Sequence, residues 1–130
     1  MYSRLTILFR TCLTLILISL ATLGSAETRL MMAEEPGCIW CARWNAEVAE
    51  AYPKTPEGQA APLLRVDITE DLPNGIALDR RVSFTPTFIL LIDGTETARI
   101  EGYPGEDFFW GLLGRMLTQQ GVAFGDDTSG

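Results

Sequence analysis

The alternation of apolar and polar positions predicts seven regular segments after position 27. Short apolar or alternating runs bounded by glycine, proline or acidic residues are typical of strands, whereas apolar residues spaced by three and four are typical of helices. The nearly continuous apolar run 87–92 predicts a strand buried on both faces, and Asp93-Gly94 predicts a hairpin turn after it. The predicted order is strand 29–33, helix 38–52, strand 63–68, helix 74–81, strand 87–92, strand 96–100 and helix 105–120.

Apolar stripes predict the buried sides of the two longer helices. Pro53 and Pro56 end the first helix, and we expect a loop from there through Gly58. The short helix would begin at a capping Asn74. The first helix is expected to bury Ala42, Ala46, Val48, Ala49 and Tyr52. The last helix is expected to bury Phe108, Phe109, Leu112, Leu113, Met116 and Leu117.

Residues 1–26 have the composition of an export signal. Arg4 and Arg10 come before or at the start of an apolar run at 11–23, and Gly24-Ser25-Ala26 supplies the small residues that a signal peptidase reads. The run is shorter than the roughly 20 residues of a membrane span. An uncleaved signal anchor stays open as the alternative.

Cleavage after Ala26 would leave one small domain at 27–121 and a flexible acidic tail at 122–130. Loss of Arg4 and Arg10 leaves 8 of the 10 basic residues against 17 acidic ones, a net charge of about −9. Since no basic stripe exists, nucleic acid is not expected as a partner, and the scattered acids are expected to serve solubility. We predict a periplasmic monomer.

Cys38-Ile39-Trp40-Cys41 is the motif that carries chemistry. Cysteines three apart at a helix start fall within the roughly 4.4–6.8 Å Cα separation that a disulfide needs, and closing so short a loop adds little stability. Cys12 leaves with the signal, so this pair would be alone. The chain has no histidine, which argues against a four-ligand zinc site and covalent haem. A redox pair is favoured over a static bond, and no metal or cofactor is expected.

The segment order, the dithiol and Phe84-Thr85-Pro86-Thr87 before the central strand together resemble the thioredoxin-fold family in its minimal form. The resemblance covers nearly all of the exported chain. It implies a β-α-β-α-β-β-α domain with a mixed four-stranded sheet flanked by helices. It also implies a cis bond before Pro86, facing the dithiol, although only about 5–6% of X–Pro bonds are cis in general. The backbone of Thr85 would then pair with an extended substrate segment.

The segment Pro36-Gly37-Cys38-Ile39-Trp40-Cys41 is similar to the SoxS-type periplasmic thioredoxins of bacterial thiosulfate-oxidation clusters. That similarity implies a reductant for the cysteine of a sulfur-carrier protein, with a membrane thiol transporter as electron donor. Ordinary thioredoxins have a buried Asp six residues before the first cysteine, where this chain has Met32. Glu34 and Glu35 are candidate replacements for that proton relay, or else two solvated loop acids.

The roles within the motif follow from the helix start. Cys38 is predicted to be the nucleophile, because the free N–H groups there favour a thiolate. Cys41, one turn deeper, is predicted to resolve the mixed disulfide. Trp40 is predicted to contact the partner protein. No cation lies beside Cys38 in the sequence, and nearby Glu34 and Glu35 would raise the pKa of its thiol, so a reductant is favoured over a strong oxidant.

Two other functions stay open. The domain could be a disulfide oxidase or isomerase, although an isomerase usually needs a second domain or a dimer to hold its clients. It could instead be a non-catalytic peptide-binding module, with Cys38–Cys41 as a permanent bond and Thr85-Pro86 as the docking ledge.

Overall fold

A mixed four-stranded sheet is the centre of the fold in the computed structural model, which describes residues 24–125. The strands are β1 (Thr28–Glu34), β2 (Leu63–Asp67), β3 (Thr87–Ile92) and β4 (Thr95–Glu101). They lie in the order β2-β1-β3-β4, and β1 is parallel to β2 while both other pairs are antiparallel. All four predicted strands are confirmed to within one residue at each end.

The predicted hairpin turn between β3 and β4 is also confirmed. Asp93 and Gly94 have positive φ values of 50° and 79°, as a two-residue turn of the twisted-hairpin type requires. A Cβ atom at Gly94 would lie 2.1 Å from the backbone oxygen of Gly75. Glycine is therefore required here both for its backbone conformation and for the close approach of a neighbouring loop.

The helices are α1 (Ile39–Trp44), α2 (Pro56–Ala60) and α3 (Glu106–Gln119), with a π-helical turn at Asn45–Ala49 and a 3₁₀ turn at Tyr52–Lys54. The predicted helix 38–52 is thus one helical stretch in three pieces. The loop expected through Gly58 is wrong, because Thr55 caps a short helix there. Its hydroxyl accepts the N–H of Gly58 at 3.0 Å, and Pro56 takes the first helical position.

The buried side of the first helical stretch differs from the predicted one. Ala42 and Ala46 are exposed, and Ala49 is half-buried against the core. The large ring of Trp44 sets the orientation instead, because it offers far more apolar area than two alanines. The residues that are buried are Cys41, Trp44, Val48 and Tyr52.

The predicted stripe of α3 is correct except at its first position. Phe108 is 70% exposed, whereas Phe109 is fully buried and packs against Phe88 with ring centroids 4.8 Å apart. Neighbouring positions differ by about 100° around a helix, so both rings cannot face the sheet. The predicted stripe also leaves out Trp110, whose ring is stacked on that of Tyr52 with the centroids 6.0 Å apart. The other stripe residues are buried or half-buried: Leu112, Leu113, Met116 and Leu117.

The helix predicted at 74–81 does not form, which corrects one element of the predicted order. The crossover segment, residues 68–86, runs instead as turns beside the outer edge of β4. The N–H of Ala77 binds the oxygen of Gly94, and the N–H of Glu96 binds the oxygen of Ala77, both at 2.9 Å. The sheet edge thus pairs backbone groups that a helix would have paired internally.

Two apolar clusters cover the two faces of the sheet. One face packs under α1 and α3 and contains Leu30, Met32, Phe88 and Leu90 together with the buried helix residues. The other face contains Met31, Ala33, Val66, Ile89 and Leu91, and half-buried residues of the crossover segment cover it. The sheet is therefore flanked by helices on one face and by irregular chain on the other.

Residues near both ends of the described range contact the rest of the fold. Residues 24–27 are exposed, and the backbone of Glu27 exchanges hydrogen bonds of 2.8 Å with Asp93 beside the hairpin. Val122 and Phe124 pack against the core. The described residues leave out most of the predicted signal at 1–26, including Cys12. They also leave out the last part of the predicted tail. Within 24–125, no helix is long and apolar enough to cross a membrane.

Candidate active site

Cys38 and Cys41 form a disulfide at the start of α1, with their Cα atoms 5.2 Å apart. Gly37, with a φ of 79°, turns the chain out of β1, and the N–H of Cys38 donates to the oxygen of Glu35 at 3.3 Å. Cys38 then occupies the N-cap position of the helix. The disulfide that the spacing predicted is therefore present.

The two sulfur-bearing residues differ in access and in contacts. Cys41 is 4% exposed and belongs to the helix-side core, whereas Cys38 is only half-buried. The N–H of Cys41 donates to the Sγ atom of Cys38 at 3.1 Å. A backbone donor aimed at one sulfur favours negative charge on that sulfur once the bond is reduced. The asymmetry fits an attacking Cys38 and a shielded Cys41.

The Thr85–Pro86 peptide bond is cis, as the resemblance implied. Pro86 is buried at the start of β3, and its carbonyl oxygen accepts the N–H of Gly102 at 2.8 Å. The hydroxyl of Thr85 donates to the carboxylate of Glu35 at 2.7 Å. The cis-proline loop is thereby tied to the turn that carries the dithiol.

The two candidate proton-relay residues are hydrogen-bonded to other side chains. Glu34 accepts from the guanidinium of Arg65 at 2.8 Å, and Arg65 also donates to Asn45 at 2.7 Å. The carboxylate of Glu35 accepts from Thr85. Met32 is fully buried in the same core cluster as Cys41, so an apolar side chain fills the position where the family has its acid. A relay through Glu34 or Glu35 stays a prediction.

Trp40 lies at the rim of an open pocket of about 420 Å³. Its side chain is 50% exposed, and the guanidinium of Arg43 lies 5.8 Å from the centroid of its ring. The structure thus brings Trp40 and Thr85, which were singled out from distant parts of the sequence, to one pocket. The lining residues are Trp40, Phe84, Thr85, Glu101, Gly102 and Tyr103.

Sequence reasoning missed Tyr103 and Glu47, which adjoin this pocket. Tyr103 is buried, and its hydroxyl donates to Glu47 at 2.5 Å. That hydrogen bond, with a second from Arg43, lowers the pKa of Glu47. Burial, and then the bond to Glu47, raises the pKa of Tyr103 well above its usual range. No local motif marks these residues, since 56 positions separate them.

The described residues contain no group of three or more His, Cys, Asp or Glu side chains placed to hold a metal ion.

Comparison with known proteins identifies the family. No family model matches the chain, and no curated protein does. Among solved structures, the reduced form of the periplasmic thioredoxin SoxS from Paracoccus pantotrophus matches with 54% sequence identity and a TM-score of 0.71. The match covers 72% of this chain and 99% of that one. With its Cys38–Cys41 disulfide, this protein is a thiol-disulfide oxidoreductase. The chain belongs to the thioredoxin-fold family and, within it, to the SoxS-type thioredoxins.

Proposed function

We propose that this protein is an exported protein-disulfide reductase, which uses the Cys38/Cys41 dithiol to reduce a disulfide or mixed disulfide on a periplasmic partner. The observation that carries the proposal is the unequal access of the two sulfurs, with Cys38 half-buried and Cys41 4% exposed. Only the more exposed sulfur is placed to meet a partner protein.

The reaction proceeds by two exchanges. The thiolate of Cys38 attacks one sulfur of the client disulfide; that bond breaks, a Cys38–client bond forms, and the other client sulfur leaves as a thiolate. Cys41 then attacks the Sγ atom of Cys38, which restores the internal disulfide and releases the second client sulfur as a thiolate. Two electrons pass to the client, and a membrane thiol-electron donor is needed to reduce Cys38–Cys41 again.

The client docks beside the sulfur that it reacts with. Thr85 and Pro86 precede β3 next to the dithiol turn, so the backbone of Thr85 is placed to pair with an extended client segment. The exposed side chains of Ile39, Trp40 and Phe84 supply apolar contact area around that segment.

The reducing direction is supported by the charges near the dithiol. Glu35 lies three positions before Cys38, and its carboxylate accepts the Thr85 hydroxyl at 2.7 Å. A carboxylate there disfavours the Cys38 thiolate. A strong oxidant of this fold needs a stabilised Cys thiolate in its reduced form, because that stabilisation is the source of its oxidising power.

The N-terminal sequence and the SoxS relative support the location and the client. We infer that residues 1–26 are a cleavable signal and that the thioredoxin-like domain begins at position 27. The SoxS thioredoxin of Paracoccus pantotrophus is itself periplasmic. A sulfur-oxidation carrier protein with an oxidised cysteine is accordingly the preferred client.

Trapping of mixed disulfides tests the proposal. In the periplasmic fraction of cells that make the Cys41→Ser variant, we expect client proteins linked to Cys38, released by dithiothreitol on a gel. The Cys38→Ser variant, made at the same level, is expected to trap none and to lack turnover. If both variants still bind the same proteins without a covalent link, the protein is a binding module and the proposal is wrong.

A further inference from the structure

Four side chains form a continuous line of contacts from the exposed rim of the dithiol to a second wall of its pocket. The guanidinium of Arg43 lies 5.8 Å from the centroid of the Trp40 ring. Arg43 donates from its Nε atom to one carboxylate oxygen of Glu47 at 2.7 Å. The hydroxyl of Tyr103 donates to the other carboxylate oxygen at 2.5 Å.

Glu47 is the shared member of this line. Both of its oxygens are engaged, one from its own helical stretch and one from the loop after β4. Trp40 and Tyr103 line the same pocket but belong to these two separate parts of the chain. The carboxylate of Glu47 therefore joins two walls of the pocket through its hydrogen bonds.

We propose that Glu47 is a positioning residue that fixes Trp40 and Tyr103 as the walls of the client-docking pocket. This inference rests on the proposed function. Glu47 holds Arg43 over the Trp40 ring, where a cation–π contact limits the motion of an exposed side chain. It also holds the Tyr103 hydroxyl. The walls are thus ordered before a client arrives, which lowers the entropic cost of docking a polypeptide.

The effect should be confined to clients that fill the pocket. A small disulfide needs only access to Cys38, whereas a peptide segment at Thr85 also contacts the walls. Loss of Glu47 should therefore slow reaction with a peptide disulfide more than reaction with a small one. The contact of one well-ordered aromatic residue in an interface corresponds to roughly a fivefold change in affinity.

The test uses the reduced protein and two chromogenic probes. One is a ten-residue peptide whose single cysteine is capped as a mixed disulfide with 2-nitro-5-thiobenzoate, and the other is the symmetric disulfide of that chromophore. Attack by Cys38 on the peptide sulfur releases the chromophore as a thiolate. We measure the ratio of the second-order rate constants, peptide over small disulfide, in each variant.

Glu47→Ala and Tyr103→Phe should each lower this ratio about fivefold. Glu50→Ala is the matched control, since it removes the same charge from an exposed side chain that pairs with Lys54 at 3.6 Å. Its ratio should stay within about twofold of the wild-type value. Tyr103→Phe keeps the aromatic ring and removes only the hydroxyl. This variant therefore tests the inference even if Glu47→Ala does not fold.

A spectroscopic measurement tests positioning without any turnover. The chain has three tryptophans, and incorporation of 5-fluorotryptophan gives three fluorine resonances, assigned with Trp40→Phe. The Trp40 resonance should move in Glu47→Ala and Tyr103→Phe but not in Glu50→Ala. An unchanged rate ratio or an unmoved Trp40 resonance would overturn the inference. If wild-type protein reacts with neither probe, the proposed function fails, and the fluorine spectrum alone decides the role of Glu47.

Discussion

The hydroxyl of Thr85 donates to the carboxylate of Glu35 at 2.7 Å, across 50 positions of sequence. This contact joins the loop of the cis-proline to the turn before Cys38, the two segments that together make the site. It also holds the carboxylate of Glu35, three positions before Cys38, on the cis-proline loop. In the proposed function, the contact would connect client docking at Thr85 with the ionisation of Cys38.

Removal of that charge should make Cys38 more acidic. In Glu35→Gln the amide oxygen still accepts the Thr85 hydroxyl, so the main change is electrostatic. We expect the pKa of the Cys38 thiol in the reduced protein to fall, because a nearby negative charge disfavours the thiolate. The pH dependence of alkylation by iodoacetamide measures it. Glu50→Gln, just after the π-helical turn at Asn45–Ala49, should leave the value unchanged, and an equal shift there would contradict the local effect.

The buried pair Glu96 and Arg99 should be essential for the stability of the crossover segment. Their side chains are 2% and 5% exposed, and they bind each other through two hydrogen bonds. Glu96 also accepts the N–H of Asp79 at 2.8 Å, while Arg99 donates to the oxygen of Arg80 at 3.0 Å. Glu96→Ala should cost roughly 3–5 kcal/mol in the free energy of unfolding, because it leaves a buried cation with the longer contact to Glu101, at 3.8 Å, in place of two short hydrogen bonds. Urea denaturation at pH 7 checks this, and a loss below about 1 kcal/mol would show that the pair is dispensable.

The same pair predicts a pH dependence. Burial by itself would raise the pKa of Glu96, but the hydrogen bonds from Arg99 and the Asp79 N–H, with the charges of Arg99 and Arg80, bring it below its usual value. A carboxylate with a lowered pKa in the folded state contributes stability above its unfolded pKa, about 4.3, and loses it as the pH falls through the folded value. The stability difference between wild type and Glu96→Ala should therefore be constant from pH 7 to about 5 and shrink below about pH 4. A stability difference that stays constant down to pH 3 would contradict a lowered pKa for Glu96.

Two glycines should respond in opposite directions to replacement by alanine. Gly94 has a φ of 79°, and a Cβ atom there would lie 2.1 Å from the oxygen of Gly75. Gly111 lies within α3 with nothing within 4 Å of such an atom. Gly94→Ala should destabilise the protein by about 2 kcal/mol, whereas Gly111→Ala should stabilise it by up to about 1 kcal/mol. Thermal unfolding of both variants measures the two changes in stability. Equal shifts in melting temperature would contradict this explanation of the hairpin turn.

The sequence predicted the strands and the dithiol well because their signals are local. The apolar run 87–92 and the Asp93-Gly94 turn specify β3 and its hairpin without reference to distant residues. The spacing of Cys38 and Cys41 likewise fixes a disulfide by itself. The cis form of Pro86 came only from the family resemblance, since the rarity of cis bonds argues for trans at any single proline.

The failures arise where tertiary contacts override a local pattern. Residues 74–81 look helical, but the edge of β4 supplies partners for Ala77 and for the N–H of Asp79, so the segment stays irregular. Phe108 belongs to an apolar stripe by spacing, yet the space beside Phe88 admits only Phe109. The bond between Glu47 and Tyr103 spans 56 positions and has no signature along the chain.

The reduction potential of the Cys38/Cys41 pair tests the central claim most directly. The chain from position 27 onward would be equilibrated in a series of thiol/disulfide buffers, and the free thiols trapped and counted at each ratio. We predict a value near the roughly −270 mV of thioredoxin, as a reductant requires. A value near about −120 mV would make the protein an oxidant and contradict the proposed direction. A bond that no such buffer reduces would instead be a permanent structural disulfide.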